Sequence, residues 1–267
     1  MIGRWKIAAL AYLIATPVAL SAQDRAGSDG TSELSKLAEV PFGVGERLQY
    51  RVKFGPLEVG EARMEVVGID TVAGHPTYHM LFTMAGGTFF YKMDDRQESW
   101  LDVYRLASRR YLQDLHQGSY ERLWVWEFDL EKRTFQRSDG VSDSIPADAL
   151  DEAAFIYFVR SVTLEVGETY EWNRYYLFDR NPVIVQVLRR ETVKVPAGEF
   201  DTIVVRPIIK AGGIYSEDGE AEVFITDDEW RIPVLLKSKL KVGTLSMEMT
   251  EYERGVRLTP EMLGMAN

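Results

Sequence analysis

The stretch Glu46-Arg-Leu-Gln-Tyr-Arg-Val-Lys-Phe54 decides the fold of this chain. Leu48, Tyr50, Val52 and Phe54 share one parity, while Arg47, Gln49, Arg51 and Lys53 share the other. A strand with that pattern buries one face and wets the other. The same period continues outward. Ala62, Met64 and Val66 oppose Glu61, Arg63 and Glu65. Val234, Leu236, Leu240 and Val242 alternate with Lys237, Lys239 and Lys241, and Leu245, Met247 and Met249 alternate with Ser246, Glu248 and Thr250. One-sided strands of this kind build an antiparallel sheet with one solvated face.

Further strands are expected at 78–84, 97–103, 108–115, 120–130, 132–137, 169–177, 182–195, 200–209, 221–226 and 237–252, separated by turns such as Gly55-Pro56, Ser138-Asp139-Gly140 and Pro196-Ala197-Gly198. The segment 148–162 departs from the pattern. Leu150, Ala153, Ala154, Tyr157 and Phe158 fall at helical spacing, Pro146 stands just ahead, and Asp148 is placed to cap the N-terminus. The expected fold is all-β: a curved, mostly antiparallel sheet or half-barrel of about ten to fourteen strands, with one mid-chain helix lying across it. Val44-Gly45-Glu46 echoes Val166-Gly167-Glu168, which suggests halves at 41–140 and 164–254 around the helix. Both belong to a single β domain, 41–254, followed by a tail at 255–267.

The first twenty-two residues have the anatomy of a secretory signal. Arg4 and Lys6 precede an apolar run from Ile7 to Leu20, and the small residues Ser21 and Ala22 suit cleavage. That run is short for a membrane span. Residues 23–40, polar and rich in Gly, Ser and Asp, read as a flexible leader. The destination is the periplasm or the exterior. No second long apolar segment follows, so no membrane-spanning helix is expected after cleavage.

The 31 basic and 41 acidic residues give a net charge of −10. Cleavage would remove two of the bases and no acid. Such acidity argues against nucleic acid as a partner. There is no cysteine. An exported chain without disulfides must be held by its core, and thiol chemistry is excluded.

Few residues suggest catalysis. His75 and His79 are four apart in a turn-and-strand context, about 13 Å along a strand, and no metal-binding motif occurs, so neither metal nor cofactor is expected. No Gly-x-Ser-x-Gly elbow is present, and Gly212-Gly213 reads as a hairpin loop. Asp94, Asp95 and Glu98, beside Tyr91 and Arg96, are the first carboxylates to consider for glycoside chemistry, which needs a pair about 5–10 Å apart. Aromatic residues are more prominent. A curved sheet of this size encloses an apolar cavity, and Met84, Phe89, Phe90, Trp124, Trp126, Phe155 and Phe158 are the expected lining. Met64, Met80, Met84, Met93, Met247 and Met249 would make its wall adaptable.

Several strings taken together resemble an uncharacterised family of exported bacterial proteins, the domain of unknown function 3108 family. They are Pro41-Phe-Gly-Val-Gly-Glu-Arg-Leu-Gln-Tyr50, Gly60-Glu-Ala-Arg-Met64, the helical stretch 153–160, Val195-Pro-Ala-Gly-Glu-Phe200 with Val204-Val-Arg-Pro207, Ile225-Thr-Asp-Asp-Glu-Trp-Arg-Ile-Pro-Val234 and Gly243-Thr-Leu245. The resemblance spans 41–254 and supplies no catalytic residues. It implies an exported all-β domain, similar in architecture to the open, helix-plugged barrels of periplasmic lipoprotein carriers. The expected function is that of a periplasmic binding or carrier protein for an apolar or amphipathic ligand, such as a lipid. The alternatives are a cell-envelope carbohydrate-active enzyme using paired carboxylates, and an envelope assembly protein whose edge strand pairs with a protein partner.

Overall fold

The computed structural model describes residues 38–88, 91–210, 220–240 and 243–263. The signal segment 1–22, most of the leader, Phe89, Phe90 and the Gly212-Gly213 loop lie outside the described residues. The strands are β1 (Arg47–Phe54), β2 (Leu57–Val72), β3 (His75–Thr88), β4 (Tyr91–Asp102), β5 (Ser108–Gln117), β6 (Tyr120–Asp129), β7 (Thr134–Arg137) and β8 (Ser142–Ser144). After helix α1 (Glu152–Ser161) come β9 (Thr169–Trp172), β10 (Val183–Val195), β11 (Gly198–Ile208), β12 (Glu220–Thr226), β13 (Pro233–Leu240) and β14 (Gly243–Glu253).

All fourteen described strands form one sheet in the order β8-β7-β6-β5-β4-β3-β2-β1-β14-β13-β12-β11-β10-β9. Two antiparallel meanders, β1–β8 and β9–β14, meet where β1 pairs with β14. The sheet does not close, because β8 and β9 are unpaired edges of three and four residues. Edges that short offer little template for outside strands. Register shifts at Gln49/Tyr50, Val66/Gly68, Trp100/Leu101 and Val187/Arg189 mark bulges that sharpen the twist. The coiled sheet wraps its apolar face inward, and Leu48, Tyr50 and Val52 of β1 are buried there.

The two Val-Gly-Glu segments make the same turn. Gly45 N–H donates to Val66 and Val66 N–H returns to Glu46. Gly167 N–H donates to Val187 and Val187 N–H returns to Glu168. Both glycines have positive φ, 85° and 93°, and each accepting valine stands at a bulge. The side chains differ: Glu46 is fully buried and Glu168 is exposed.

Two local expectations are corrected. The helix is shorter than 148–162, and its N-cap is Asp151, whose carboxylate accepts from Ala154 N–H at 2.9 Å. Asp148 instead sits at φ 51° and pairs with Arg105 at 2.6 Å. Residues 237–252 are not one strand but the facing ends of β13 and β14, with Leu240 opposite Gly243. Gly243 has φ 145°, and a Cβ there would stand 2.9 Å from the Phe54 ring, so a break falls where a continuous alternation would run on. The chain also packs before Pro41, since Ala38 N–H donates to Val103. Beyond residue 254, Val256 bridges Val44 and Leu258 is buried.

The helix is held at both ends. At its start, Ser99 donates to Asp151 at 2.6 Å, and Asp151 N–H donates to Ser108 at 2.9 Å. At its end, Arg160 forms a two-pronged pair with Glu46 at 2.7 and 2.8 Å and donates to the Trp230 carbonyl at 3.1 Å. Both side chains are fully buried.

Candidate ligand-binding cavity

The sheet curls around α1, which is held at both ends and packed through Phe158 against Trp172, and space remains on the side of the helix that carries Phe155 and Val159. A cavity of about 590 Å³ lies there. Phe155, Ile156 and Val159 recur at intervals of one, three and four residues and present one helix face to it. The facing wall draws on distant strands: Tyr50 and Met64, Met80 and Met84, Val205 and Met247. Four of the six methionines expected in the wall, Met64, Met80, Met84 and Met247, line it, and Met249 is buried in the core.

One part of the wall is polar. Gln97, Gln117, Glu152 and Arg180 border the cavity, and all but Gln117 belong to a hydrogen-bonded cluster centred on Glu152. Tyr175 Oη donates to Glu152 at 2.7 Å and accepts from Arg180 Nη1 at 3.2 Å. Gln113 donates to Glu152 at 3.3 Å and to Tyr111 Oη at 3.0 Å, and Tyr111 donates to Gln97 at 2.5 Å. Arg122 donates to the Gln113 carbonyl oxygen. Burial, with Glu152 adding to it, pushes the Tyr111 and Tyr175 phenols well above their ordinary range, so both remain protonated donors. Asp95 sits beside this cluster on the inner face of β4, accepting from Gln117 at 2.5 Å and from His116 N–H at 3.1 Å. Burial raises its pKa.

Met84 and Phe155, both expected from sequence, line the cavity. Trp126 does not. It stacks on Tyr111 at 5.1 Å and meets Tyr176 edge-on at 5.9 Å, in an aromatic core under β5–β7. Trp124 is sandwiched between the guanidinium groups of Arg122 and Arg137, 4.2 and 3.8 Å from its ring centre. Phe158 lies on the other flank of α1, against Trp172 at 5.2 Å and Arg174 at 4.4 Å.

The three carboxylates do not gather. Asp95 shares its parity with Gln97 on the inner face, whereas Asp94 and Glu98 point outward. Those two are four residues apart on one strand, about 13 Å. Glu98 is engaged on the convex side by His79 at 2.5 Å and Arg96 at 2.8 Å. Gln97, Gln117, Glu152, Tyr175 and Arg180 had escaped sequence reasoning. The available signal was polarity at inward positions: Asp95, Gln97, Gln113 and Gln117 break the apolar parity of β4 and β5.

The chain matches the profile of the protein family of unknown function DUF3108 over residues 49–250 and belongs to that family. No curated protein matches its sequence significantly. Among solved structures, a β-barrel-like protein of domain of unknown function DUF1849 from Brucella abortus is similar, with a TM-score of 0.52 and 8% identity, covering 82% of this chain and 100% of that one. A candidate lipoprotein from Parabacteroides distasonis aligns at TM-score 0.37 and 9% identity, and a candidate exported protein with a YmcC-like fold from Bacteroides fragilis at 0.32 and 11%, each with the same coverage. The first supports the β-barrel-like architecture. Among the described residues no helix is long and apolar enough to cross a membrane, which leaves membrane-spanning strands unaddressed.

Proposed function

We propose that this DUF3108 family member is exported to the periplasm and holds an amphipathic ligand, with the apolar part enclosed between α1 and the sheet. The observation that carries the reading is the 590 Å³ cavity, with a largely aliphatic and methionine wall and the charged and amide side chains of Gln97, Gln117, Glu152 and Arg180 on its border. That is the shape of a site for a ligand with an apolar body and a polar end. The secretory start of the sequence supports the location. The separation of Asp94, Asp95 and Glu98 across the two faces of β4 gives no support to the glycosidase alternative.

The test is native mass spectrometry of the chain recovered from a bacterial periplasm, with an organic extract of the same sample. The expected result is extra mass that reappears in the extract as lipid and is lost in Ala153→Phe, which places a ring in the cavity from the helix side. Lipid retained equally by that variant refutes the cavity as the site. A chain that stays free of lipid after incubation with bacterial phospholipid vesicles refutes the carrier reading.

A further inference from the structure

The polar part of the cavity holds a guanidinium group with few partners of its own. Arg180 borders the cavity with its side chain one-third exposed. Among the described residues its side chain makes one hydrogen bond, the 3.2 Å contact from Nη1 to the Tyr175 hydroxyl, and its distance to Glu152 is 3.7 Å, beyond hydrogen-bond length. Glu152 has its own donors in Tyr175 and Gln113. Arg180, on the cavity border with its guanidinium 5.6 Å from the Tyr175 ring centre, is therefore a cation that keeps unused donors among the described residues. Behind it, on the Gln113 side of the same cluster, Arg122 has no carboxylate partner among the described residues. It is held by Gln113 and by the rings of Trp124 and Tyr120, and its Nε is buried without an acceptor. Two guanidinium groups and two carboxylates, Glu152 and Asp95, thus share this region, Asp95 already holding Gln117 and the His116 N–H, and the amides of Gln97 and Gln117 complete the rim.

The volume limits the apolar part. A cavity of about 150 Å³ holds one benzene, or about 25 Å³ per carbon. On that scale 590 Å³ takes about two dozen heavy atoms, enough for one acyl chain of about sixteen to eighteen carbons with its head. A lipid with two or three such chains needs about two to three times as much.

Resting on the carrier reading, we infer that the ligand is a single-chain amphiphile with an anionic head, carboxylate or phosphate, whose chain fills the cavity and whose head is received by Arg180. Guanidinium suits both anions, because its planar donors match their paired oxygens.

The test measures displacement of a neutral fluorescent reporter, N-phenyl-1-naphthylamine, from lipid-stripped full chain. The competitors are palmitate, 1-palmitoyl lysophosphatidate and the uncharged hexadecanol. At least one anion is expected to bind about tenfold or more tighter than hexadecanol, the scale of one charged hydrogen bond. Arg180→Gln should abolish that advantage and leave hexadecanol binding unchanged, which also shows that the variant is folded. Arg180→Lys should retain part of it. Whichever of palmitate and lysophosphatidate loses more in Arg180→Gln identifies the head as carboxylate or phosphate. Equal binding of all three competitors, or equal loss of all three in Arg180→Gln, overturns the headgroup assignment while leaving the cavity intact. Failure of all three to displace the reporter overturns the carrier reading with it.

Discussion

Replacing Glu46 with Gln should destabilise this protein more than most core truncations. The variant keeps the shape of the side chain and removes its charge. Arg160 would then be fully buried, with one carbonyl, that of Trp230, and a neutral amide in place of a carboxylate bound through both oxygens at 2.7 and 2.8 Å. Arg160 Nε already lacks an acceptor, so no spare partner compensates. Breaking one side of a fully buried pair costs about 3–5 kcal/mol, a large part of the roughly 5–15 kcal/mol that holds a domain together. With a urea slope of about 2–3 kcal/mol/M, the midpoint should fall by roughly 1–2.5 M. Replacing both partners with apolar residues, Glu46→Leu with Arg160→Met, removes the stranded charge and should recover most of the loss, to within about 1–2 kcal/mol of wild type. The assay is urea unfolding at pH 7, followed by circular dichroism and tryptophan fluorescence and read as a double-mutant cycle. A Glu46→Gln cost below about 1 kcal/mol, or a double variant as weak as the single, would refute the claim that this pair anchors the helix electrostatically.

Asp151 is fully buried and its pKa is raised to about 6, chiefly by desolvation. A raised acid binds its proton more tightly folded than unfolded, so stability from this group falls as pH climbs from about 4 to 6 and is level above that. Relative to Asp151→Asn, wild type should lose about 3 kcal/mol over that window; parallel stability–pH curves for the two proteins would show the shift to be absent. Ala153→Phe, aimed into empty apolar space, should leave the melting temperature within a few degrees of wild type while blocking lipid, and calorimetry that shows a large loss of stability would mean that the space is already filled. Gly60→Ala would put a Cβ 2.3 Å from the Ala85 carbonyl oxygen and 2.9 Å from Gly86 Cα, both backbone, and should cost about 1–3 kcal/mol. Gly68→Ala meets nothing within 4 Å and should stay within about 0.5 kcal/mol, and thermal melts giving equal costs at both positions would contradict the close approach of β2 and β3.

The period of two was enough to find the strands because their outer faces carry charge. Arg47, Arg51 and Lys53 could not belong to a strand buried on both sides. Helix α1 was visible because its spacing changes, but its cap was not. Sequence spacing pointed to Asp148, and it is Ser99 and Ser108, on strands far away in the chain, that hold Asp151 in the cap position. The same limit applied to the cavity. Trp124 and Trp126 attract notice as aromatic residues, yet ring chemistry does not reveal whether a ring faces a void or another ring, and here Tyr111 and Tyr176 fill the space beside Trp126. The wall is instead aliphatic and methionine, and such residues look like ordinary core in any single strand.

The placement of α1 explains why a cavity forms here and not a packed barrel. Strands β1 and β14 pair along eight residues and join the two meanders, but the opposite seam between β8 and β9 has no such ladder. It is spanned by the chain around the helix: Leu150 bridges Tyr175, Leu150 N–H donates to Arg174, and Tyr176 N–H donates back to Leu150. A segment used as a seam must enter and leave at fixed points, and the Asp151 and Glu46–Arg160 contacts fix them. Between those points the helix of ten residues leaves space along the side that carries Phe155, Ile156 and Val159. The gap is thus a consequence of how the open seam is bridged, and the contacts at the two ends of the helix hold the helix in place over it. Wall substitutions should therefore change what the cavity accepts, whereas loosening Arg160 should change whether it exists.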